Sequence, residues 1–223
     1  MRYLDIHTHQ PSVDPTHTLA IRSFDLRQVQ ELSAWPGYSS IGLHPWFLHE
    51  YWPTQLTTLA QQLAQPRTFM LGEAGLDRLR GPELSLQLAA LEAQALLAQE
   101  ASKPLLLHIV RAFEEVQSLH ARLNPTVPWI IHGFRKRAEL AQALLQQGFY
   151  LSFGAHLLQA SGSSAACFAQ LPPQRLLLET DDASTPMADL YTRAAELRGL
   201  SPQAWAAQLQ ANWTEVFGGS EVF

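Results

Sequence analysis

The stretch Lys103-Pro104-Leu105-Leu106-Leu107-His108 is a short apolar run that ends on a histidine, and Pro128-Trp129-Ile130-Ile131-His132 repeats the arrangement. Apolar runs of this length without strict alternation are typical of strands buried on both faces of a parallel sheet. Eight such runs occur along the 223 residues. We therefore predict strands at Tyr3–His7, Leu19–Phe24, Tyr38–Leu43, Thr68–Gly72, Pro104–His108, Pro128–His132, Phe149–Ser152 and Arg175–Glu179.

The segments between these strands have the spacing of amphipathic helices. Pro82 is predicted in the first turn of a helix that continues to about Glu100. Its apolar stripe would consist of Leu84, Leu88, Leu91 and Ala95. Further helices are predicted at Arg135–Gln147, with Gly148 as the residue that ends it, and from Ser201-Pro202 to about Phe217.

Strands that alternate with helices predict an α/β protein, and eight parallel strands favour a closed barrel over an open sheet. Only ten residues, Thr8–His17, separate the first two strands, and Pro11 and Pro15 disfavour a helix there. The first crossover therefore lacks room for a full helix. We predict a distorted TIM-like (β/α) barrel, formed by a single domain over residues 1–223.

The composition excludes several classes of protein. Apolar residues make up 47% and charged residues 16%, which excludes long disordered stretches. The apolar runs are too short to span a bilayer, and the N-terminus lacks the apolar segment of a signal peptide. Cys167 is the single cysteine, so no intramolecular disulfide can form. We expect a soluble cytoplasmic protein with no membrane partner and no obligate protein partner. The net charge of −5 argues against a surface coated by nucleic acid, but not against a local basic cleft.

Polar residues with metal-binding or acid-base chemistry stand where the predicted strands end. The C-terminal ends of parallel barrel strands share one rim, where active sites of this fold assemble. Several imidazoles and carboxylates gathered there need a compensating partner, because unpaired buried polar groups are costly, and a divalent metal supplies one. The residues concerned are His7, His9, His44, Glu73, His108, His132 and Asp181.

Each residue also has a structural interpretation. The pair His7 and His9 could simply be hydrogen bonded, Glu73 could pair with Arg78, and lone histidines such as His108 or His132 are more often core residues than ligands. The joint pattern favours metal, because each residue ends an independent apolar strand. His156 follows the seventh strand and could either approach the pocket or serve the fold. The remaining histidines are predicted at the surface: His17, His49 and His120.

These strand ends carry motifs that resemble the TatD family of metal-dependent hydrolases, within the amidohydrolase-like barrels. The motifs occur in the family's order and from end to end of the chain. They are Asp5-Ile6-His7-Thr8-His9, Ser40-Ile41-Gly42-Leu43-His44-Pro45-Trp46, Leu71-Gly72-Glu73-Ala74-Gly75-Leu76-Asp77, Lys103-Pro104-Leu105-Leu106-Leu107-His108, Ile131-His132-Gly133-Phe134 and Leu177-Leu178-Glu179-Thr180-Asp181. Asn212 to Phe217 is similar to the closing helix of the family.

The resemblance implies a site for two divalent metal ions, with Mg, Mn and Zn as the candidates. His7 and His9 would bind one metal, and Glu73 would bridge it to a second. The second would be held by His108 and His132. Asp181 would complete the first metal's shell and take a proton from the attacking water, so the resemblance makes Asp181 and Glu73 catalytic. It further implies that His44 and Arg111 contact substrate and that Gln87 supports the site.

The chain also departs from the family's pattern. Arg78 stands where relatives commonly have an aromatic residue, and at the rim it would suit a phosphate or pair with Asp77. Pro186 is delayed after Asp181, and the chain is shorter than most relatives between His9 and Gly42. The predicted ligands survive these changes, whereas the loops that set specificity do not carry over.

The leading hypothesis is a phosphodiesterase that acts on DNA or RNA ends, like the family's 3′-to-5′ exodeoxyribonucleases. Its phosphate contacts would come from Arg78, Arg80, Arg111 and the run Arg135-Lys136-Arg137, a run that could equally be a solvated helix start. Trp46, Phe47, Tyr51 and Trp52 could stack on bases or form a hydrophobic cover. The alternative is a hydrolase of small phosphoesters, amides or lactones with the same metal-bound water. A metal-binding protein without turnover is the non-enzymatic alternative, and the retention of Asp181 with every expected ligand weighs against it.

Overall fold

All eight predicted strands are present in the computed structural model of the chain, which describes residues 2–159 and 162–218. Within these residues they form one sheet in the order β1 to β8, and the pairs whose register is defined are parallel. The strands are β1 (Tyr3–Thr8), β2 (Thr18–Asp25), β3 (Tyr38–Gly42), β4 (Thr68–Asp77), β5 (Leu105–Val110), β6 (Trp129–Ile131), β7 (Tyr150–Phe153) and β8 (Leu176–Leu178).

Helices connect the strands after the first crossover. They are α1 (Val29–Ala34), α2 (Leu56–Leu63), α3 (Leu84–Glu100), α4 (Phe113–Leu123), α5 (Ala138–Gln146), α6 (Ser163–Gln170), α7 (Met187–Leu197) and α8 (Pro202–Phe217). Short 3-10 turns lie at Leu26–Gln28, Pro45–Phe47, Trp52–Gln55 and Ala155–Leu158. Residues 9–17, all of them described, contain no helix, which confirms the prediction for the first crossover. None of the described helices is long and apolar enough to cross a membrane.

The chain divides into two compact units. The first unit comprises Met1–Arg22 and His132–Phe223. In it β1 meets β8: Thr8 pairs with Asp181, the Asp181 N–H donates to the His7 carbonyl, and the His9 N–H donates to the Asp181 carbonyl. Helix α8 begins at Pro202, close to the predicted start, and the hydroxyl of the preceding Ser201 accepts the Ala204 N–H. The prediction of a single domain is not tested by this division and stays a prediction.

The second unit comprises Ser23–Ile131 and contains the longest strand, β4. The predicted end of that strand at Gly72 was wrong, because β4 continues to Asp77. A Cβ on Gly75 would lie 1.9 Å from the His108 carbonyl oxygen, so glycine lets β4 stay paired with β5 at close approach. The strand therefore carries Glu73 and Asp77 on one continuous segment.

Four further predictions need correction. Helix α3 begins at Leu84, so Pro82 precedes it, and α5 begins at Ala138, so the basic run lies in the preceding loop. The buried face of α3 includes only half of the predicted stripe, since Leu84 and Leu88 are half-buried. Its buried residues are Gln87, Ala90, Leu91, Gln94, Ala95 and Ala98. His120 is also half-buried rather than at the surface, because its ring packs edge-on against Trp129.

Buried glutamines and a lysine satisfy backbone groups in the second unit. Gln94 on α3 accepts the Leu43 N–H and donates to the Leu43 carbonyl, which ties the end of β3 to the helix. The Lys103 ammonium donates to the carbonyls of Leu63, Gln65 and Thr68. Leu63 is the last residue of α2, Gln65 follows it and Thr68 opens β4, so one cation stabilises both ends of that connection.

Candidate metal-binding clusters

In the first unit, two imidazoles converge on one carboxylate. His7 and His9 are two residues apart on an extended segment, so their side chains project from the same side. The Nε2 atoms of His7 and His9 lie 3.5 and 3.6 Å from Oδ1 of Asp181. Ligands arranged tetrahedrally at about 2.1 Å from one cation lie about 3.4 Å apart, so these spacings suit a shared cation.

The backbone of Asp181 is held in an unusual conformation. Its φ is +56°, in the left-handed region that non-glycine residues rarely adopt and that costs on the order of 1–2 kcal/mol. The backbone bonds from Asp181 to His7 and His9, together with one from the Thr8 hydroxyl to the Asp181 carbonyl, keep it there. Strand β1 thus fixes both the two histidines and the carboxylate that they face.

His132 joins the same cluster. Ring atoms of His7 and His132 and a carboxylate oxygen of Asp181 lie within 4.8 Å of one another, and the His7 and His132 ring centroids are 4.6 Å apart. On the other side, His132 Nδ1 lies 3.8 Å from Oε1 of Glu179, which also accepts the Gly133 N–H at 2.6 Å. The resemblance pairs His132 with His108, whereas this unit groups it with His7 and Asp181. We call His7, His9, His132 and Asp181 the first cluster.

A buried aspartate, Asp5, holds the backbone next to this cluster in place. Asp5 accepts the Thr180 N–H at 3.0 Å, the Thr180 hydroxyl at 2.6 Å and the His7 N–H at 3.3 Å. Burial raises the pKa of Asp5 to about 7, against the opposing effect of the Thr180 hydrogen bonds. Asp5 opens the first motif of the sequence, but sequence reasoning gave it no role; its place directly before the His-x-His pair was the available signal.

In the second unit, a carboxylate is flanked by two imidazoles. Oε2 of Glu73 lies 3.6 Å from Nδ1 of His108 and 3.6 Å from Nε2 of His44, and Glu73 is buried. One potential ligand atom from each of Glu73, His108 and His44 lies within 4.8 Å of the other two. We call Glu73, His108 and His44 the second cluster.

His44 differs from the other histidines in its hydrogen bonding. It precedes the 3-10 turn Pro45–Phe47, and its Nδ1 accepts the Trp46 N–H at 3.2 Å. Nε2 must then carry the hydrogen of the neutral ring, so it faces Glu73 as a donor. Burial lowers the pKa of His44, which favours this neutral form. Neither ring nitrogen offers a lone pair to a metal, so His44 is suited to donate to an oxygen rather than to coordinate.

Asp77 orients His108 from the side opposite Glu73. Its Oδ2 lies 3.3 Å from Nε2 of His108 and accepts the Trp46 indole N–H at 2.5 Å, while Oδ1 accepts the backbone N–H groups of Leu79 and Arg80. Burial alone would raise the pKa of Asp77, but the hydrogen bonds from Trp46, Leu79 and His108 hold it below the usual range. An ionised Asp77 accepts from Nε2 of His108, which leaves Nδ1, the nitrogen nearest Glu73, as the coordinating atom.

Gln87 holds the end of β4 in place. Its side-chain oxygen accepts the Asp77 N–H at 2.7 Å, and its amide donates to the carbonyls of Asp77, Arg80 and Pro82. The structure therefore gives Gln87 the supporting position that the resemblance implies.

The predicted substrate contacts lie in different surroundings. Arg78 is exposed and pairs with Glu115 on α4, not with Asp77. Arg111 is exposed with a φ of +55° just after β5, and Arg80 stacks over the Trp46 ring at 4.5 Å. The structure does not test their roles, which stay predictions.

His156 is buried in the first unit, in the turn that follows β7. Burial lowers its pKa to about 4, and the positive charge of Arg135 adds to the effect. This histidine is therefore neutral at physiological pH.

Apart from those of His44, the ligand atoms of both clusters fit a divalent cation. Imidazole nitrogens with one or two carboxylates suit zinc, manganese and related transition metals, and the carboxylates also suit magnesium. Each cluster also has an outer carboxylate facing a histidine: Asp77 is within hydrogen-bonding distance of His108 at 3.3 Å, and Glu179 lies 3.8 Å from His132.

Comparison with known proteins agrees with this chemistry. The model of the family described as TatD related DNase matches residues 9–218. The chain belongs to this family. The 3′-5′ ssDNA/RNA exonuclease TatD of Erwinia billingiae is 29% identical over 226 residues, covering 91% of this chain and 85% of the relative. The exonuclease TatD of Edwardsiella piscicida is 30% identical over 196 residues, covering 79% and 72%. The metal-dependent hydrolase YabD of Bacillus subtilis is 30% identical over 148 residues, covering 65% and 58%.

Solved structures support the fold of this TatD-family chain. The TatD homologue YjjV of Escherichia coli superposes with a TM-score of 0.79 at 23% identity, covering 97% of this chain and 98% of that one. The TatD-family hydrolase of Entamoeba histolytica gives 0.78 at 13% identity, covering 99% of each. With eight parallel strands and the pairing of β1 with β8, this likeness confirms the predicted TIM-like (β/α) barrel. The prediction of a metal-dependent hydrolase acting on ester bonds is confirmed at the level of the family.

Proposed function

We propose that the chain is a divalent-metal-dependent phosphodiesterase that removes nucleotides from the 3′ ends of single-stranded DNA or RNA. Two relatives that match most of the chain are named as exonucleases of this polarity. The observation that carries the proposal is Asp181, held in the left-handed conformation with Oδ1 facing the Nε2 atoms of His7 and His9. A strained backbone that presents a carboxylate to two imidazoles supports a catalytic role.

Two metal ions would be held, one by each cluster. His7, His9 and Asp181 would hold the first, with His132 beside them, and Glu73 and His108 would contribute to the second. When bound, such cations lower the pKa of a coordinated water and stabilise negative charge on the phosphoryl oxygens. The bridging role of Glu73 follows from the family resemblance and is tested below by metal content.

The residues of the chain would supply the proton chemistry and the orientation. Asp181 is a quarter exposed, so its carboxylate can receive the proton of the attacking water. His44 presents an Nε2–H that can donate to a non-bridging phosphate oxygen, as the resemblance implies. Asp77 and Glu179 would keep His108 and His132 in the tautomers that coordination requires.

The substitution Asp181→Asn tests the proposal. It keeps the size of the side chain but cannot take a proton, so we expect turnover of a 5′-labelled oligonucleotide in Mn²⁺ or Mg²⁺ to fall by about a hundredfold or more. The control is Arg122→Met, which should leave turnover unchanged. Arg122 pairs with Glu92 and is far along the chain from the residues of either cluster. A metal-loaded wild type that leaves DNA and RNA intact but cleaves p-nitrophenyl phosphodiesters or lactones would show that the substrate is a small molecule.

A further inference from the structure

The ring of Phe47 is exposed although it lies beside the second cluster. Its side chain is part of the 3-10 turn that follows His44, and 42% of the residue is accessible to solvent. The ring centroids of Phe47 and His44 are 5.5 Å apart, and His44 in turn faces Glu73. An aromatic surface is thus positioned next to residues proposed to act on phosphate.

A guanidinium group lies over the same ring. The central carbon of Arg27 is 3.3 Å from the Phe47 ring centroid. Arg27 Nε donates to Oδ1 of Asp25 at 2.5 Å, and Oδ2 of Asp25 accepts the His44 N–H at 3.1 Å. One carboxylate therefore fixes both the arginine and the backbone of His44.

The outer edge of Arg27 remains available. Among the residues that the structure describes, its side chain is hydrogen bonded only through Nε, to Asp25. The side chain is 53% exposed, so a ligand can approach it from solvent. Guanidinium groups bind phosphate through paired N–H donors, and Asp25 has already oriented this one.

Neighbouring aromatic and basic residues are engaged by the protein itself. Trp46 is half-buried and donates its indole N–H to Asp77, whereas Arg78 pairs with Glu115. Of the aromatic residues that the sequence suggested for stacking, Phe47 combines an exposed ring with a place beside the second cluster, and Arg27, which the sequence did not suggest, adds oriented donors.

We propose that Phe47 and Arg27 form a nucleotide subsite that selects single strands: an unpaired base stacks on Phe47 while an adjoining phosphate is bound by the terminal nitrogens of Arg27. The proposal rests on the proposed nuclease function and names two residues that would contact its nucleic-acid substrate. A base within a duplex has both faces covered by its neighbours, whereas a base at a single-stranded end can stack on a protein ring. Every base has an aromatic face that can stack on a ring with an arginine on its other side. The subsite would therefore distinguish single strands from duplex without distinguishing one base from another.

Equilibrium binding tests the two contacts separately. We would measure the anisotropy of labelled oligo(dT) with the metal-loaded protein in an Asp181→Asn background. Phe47→Leu, which keeps an apolar side chain but has no ring, is expected to weaken binding about tenfold, and Phe47→Trp is expected to retain it. Arg27→Met is expected to weaken binding and to reduce the slope of log Kd against log salt by about 0.7, the value for one lost single-strand phosphate contact.

Matched controls and a second substrate complete the design. Leu96→Ala removes another exposed apolar side chain and Arg122→Met another arginine, and both should bind oligo(dT) as the parent does. The proposal is overturned if Phe47→Leu binds within twofold of the parent, or if Arg27→Met leaves the salt slope unchanged. Equal losses by Phe47→Leu on single strands and on blunt duplex would overturn the selection for unpaired bases. Failure of the nuclease function is recognised differently, as the absence of oligonucleotide cleavage by the wild type.

Discussion

The substitution Asp77→Asn tests whether Asp77 orients the ring of His108. In the wild type, Oδ1 of Asp77 accepts two backbone N–H groups and Oδ2 accepts the Trp46 indole at 2.5 Å and faces His108 Nε2 at 3.3 Å. Asparagine keeps one oxygen for the backbone donors of Leu79 and Arg80. Its NH₂ group then meets two other donors, the indole of Trp46 and Nε2 of His108.

The magnitude follows from these contacts. Asp77 is buried, and a buried donor left without its acceptor costs about 1–3 kcal/mol, so the metal-free variant should lose about 2–4 kcal/mol of unfolding free energy. His108 is no longer held as the Nε2–H tautomer, so Nδ1 ceases to be a reliable ligand. Loss of such an outer hydrogen bond typically lowers metal affinity by about 10–100-fold, or roughly 1.4–2.7 kcal/mol.

Trp46→Phe separates the two effects. It removes the indole N–H while keeping an aromatic ring, so Oδ2 of Asp77 stays available to His108. We expect a small loss of stability, about 1 kcal/mol, with metal affinity close to that of the wild type. Calorimetric titration with Mn²⁺ or Zn²⁺ measures the affinity, denaturant unfolding of the metal-free protein measures the stability, and ¹⁵N NMR of the His108 ring reports its tautomer. If Asp77→Asn lowers stability but binds metal as tightly as Trp46→Phe, Asp77 does not orient His108.

Three other substitutions test separate features. Glu73→Ala should reduce bound metal from two ions per chain to at most one by elemental analysis, and unchanged stoichiometry would contradict the bridging role. Lys103→Met leaves three backbone carbonyls without their ammonium donor and should lower the unfolding free energy by about 2 kcal/mol, or roughly 6 °C in Tm, whereas exposed Lys136→Met should change it by less than about 0.5 kcal/mol. His156 has a folded pKa of about 4 and an unfolded value near 6.5, so stability should fall as pH decreases through that window, by about 3 kcal/mol in all. His156→Gln should flatten this part of the stability curve in metal-free protein, and an unaltered slope would assign the pH dependence elsewhere.

The strands were predictable because each is a buried apolar run between polar turns, a local signal that tertiary contacts reinforce. The errors lie where tertiary contacts reverse the local signal. Gly72 and Gly75 look like the end of a strand, yet they permit close pairing of β4 with β5. In α3, Gln87 and Gln94 occupy the buried face that leucines were expected to fill, because the ends of β3 and β4 present backbone groups that need partners.

The candidate ligands were predictable for a related reason, since each stands at the end of a strand and the topology gathers such ends. The groups that orient them were not, because a hydrogen-bond acceptor such as Asp77 or Glu179 has no spacing rule relative to the histidine it faces. Arg27 was missed for the same reason: the role proposed for it depends on Asp25 and on the ring of Phe47, twenty residues further along the chain.

The two clusters are stabilised in different ways, and this difference determines how each should respond to change. In the first, the geometry depends on backbone bonds between β1 and Asp181, so it is coupled to the pairing of the terminal strands. In the second, the geometry depends on a side-chain network that runs from Gln87 through Asp77 to His108. A substitution that loosens β1 or β8 should therefore weaken metal binding together with global stability, whereas a substitution in the Asp77 network should weaken metal binding by more than its effect on unfolding would explain. The net charge of −5 therefore says little about function, because two of the carboxylates that contribute to it, Glu73 and Asp181, face imidazoles and would be neutralised by a bound metal.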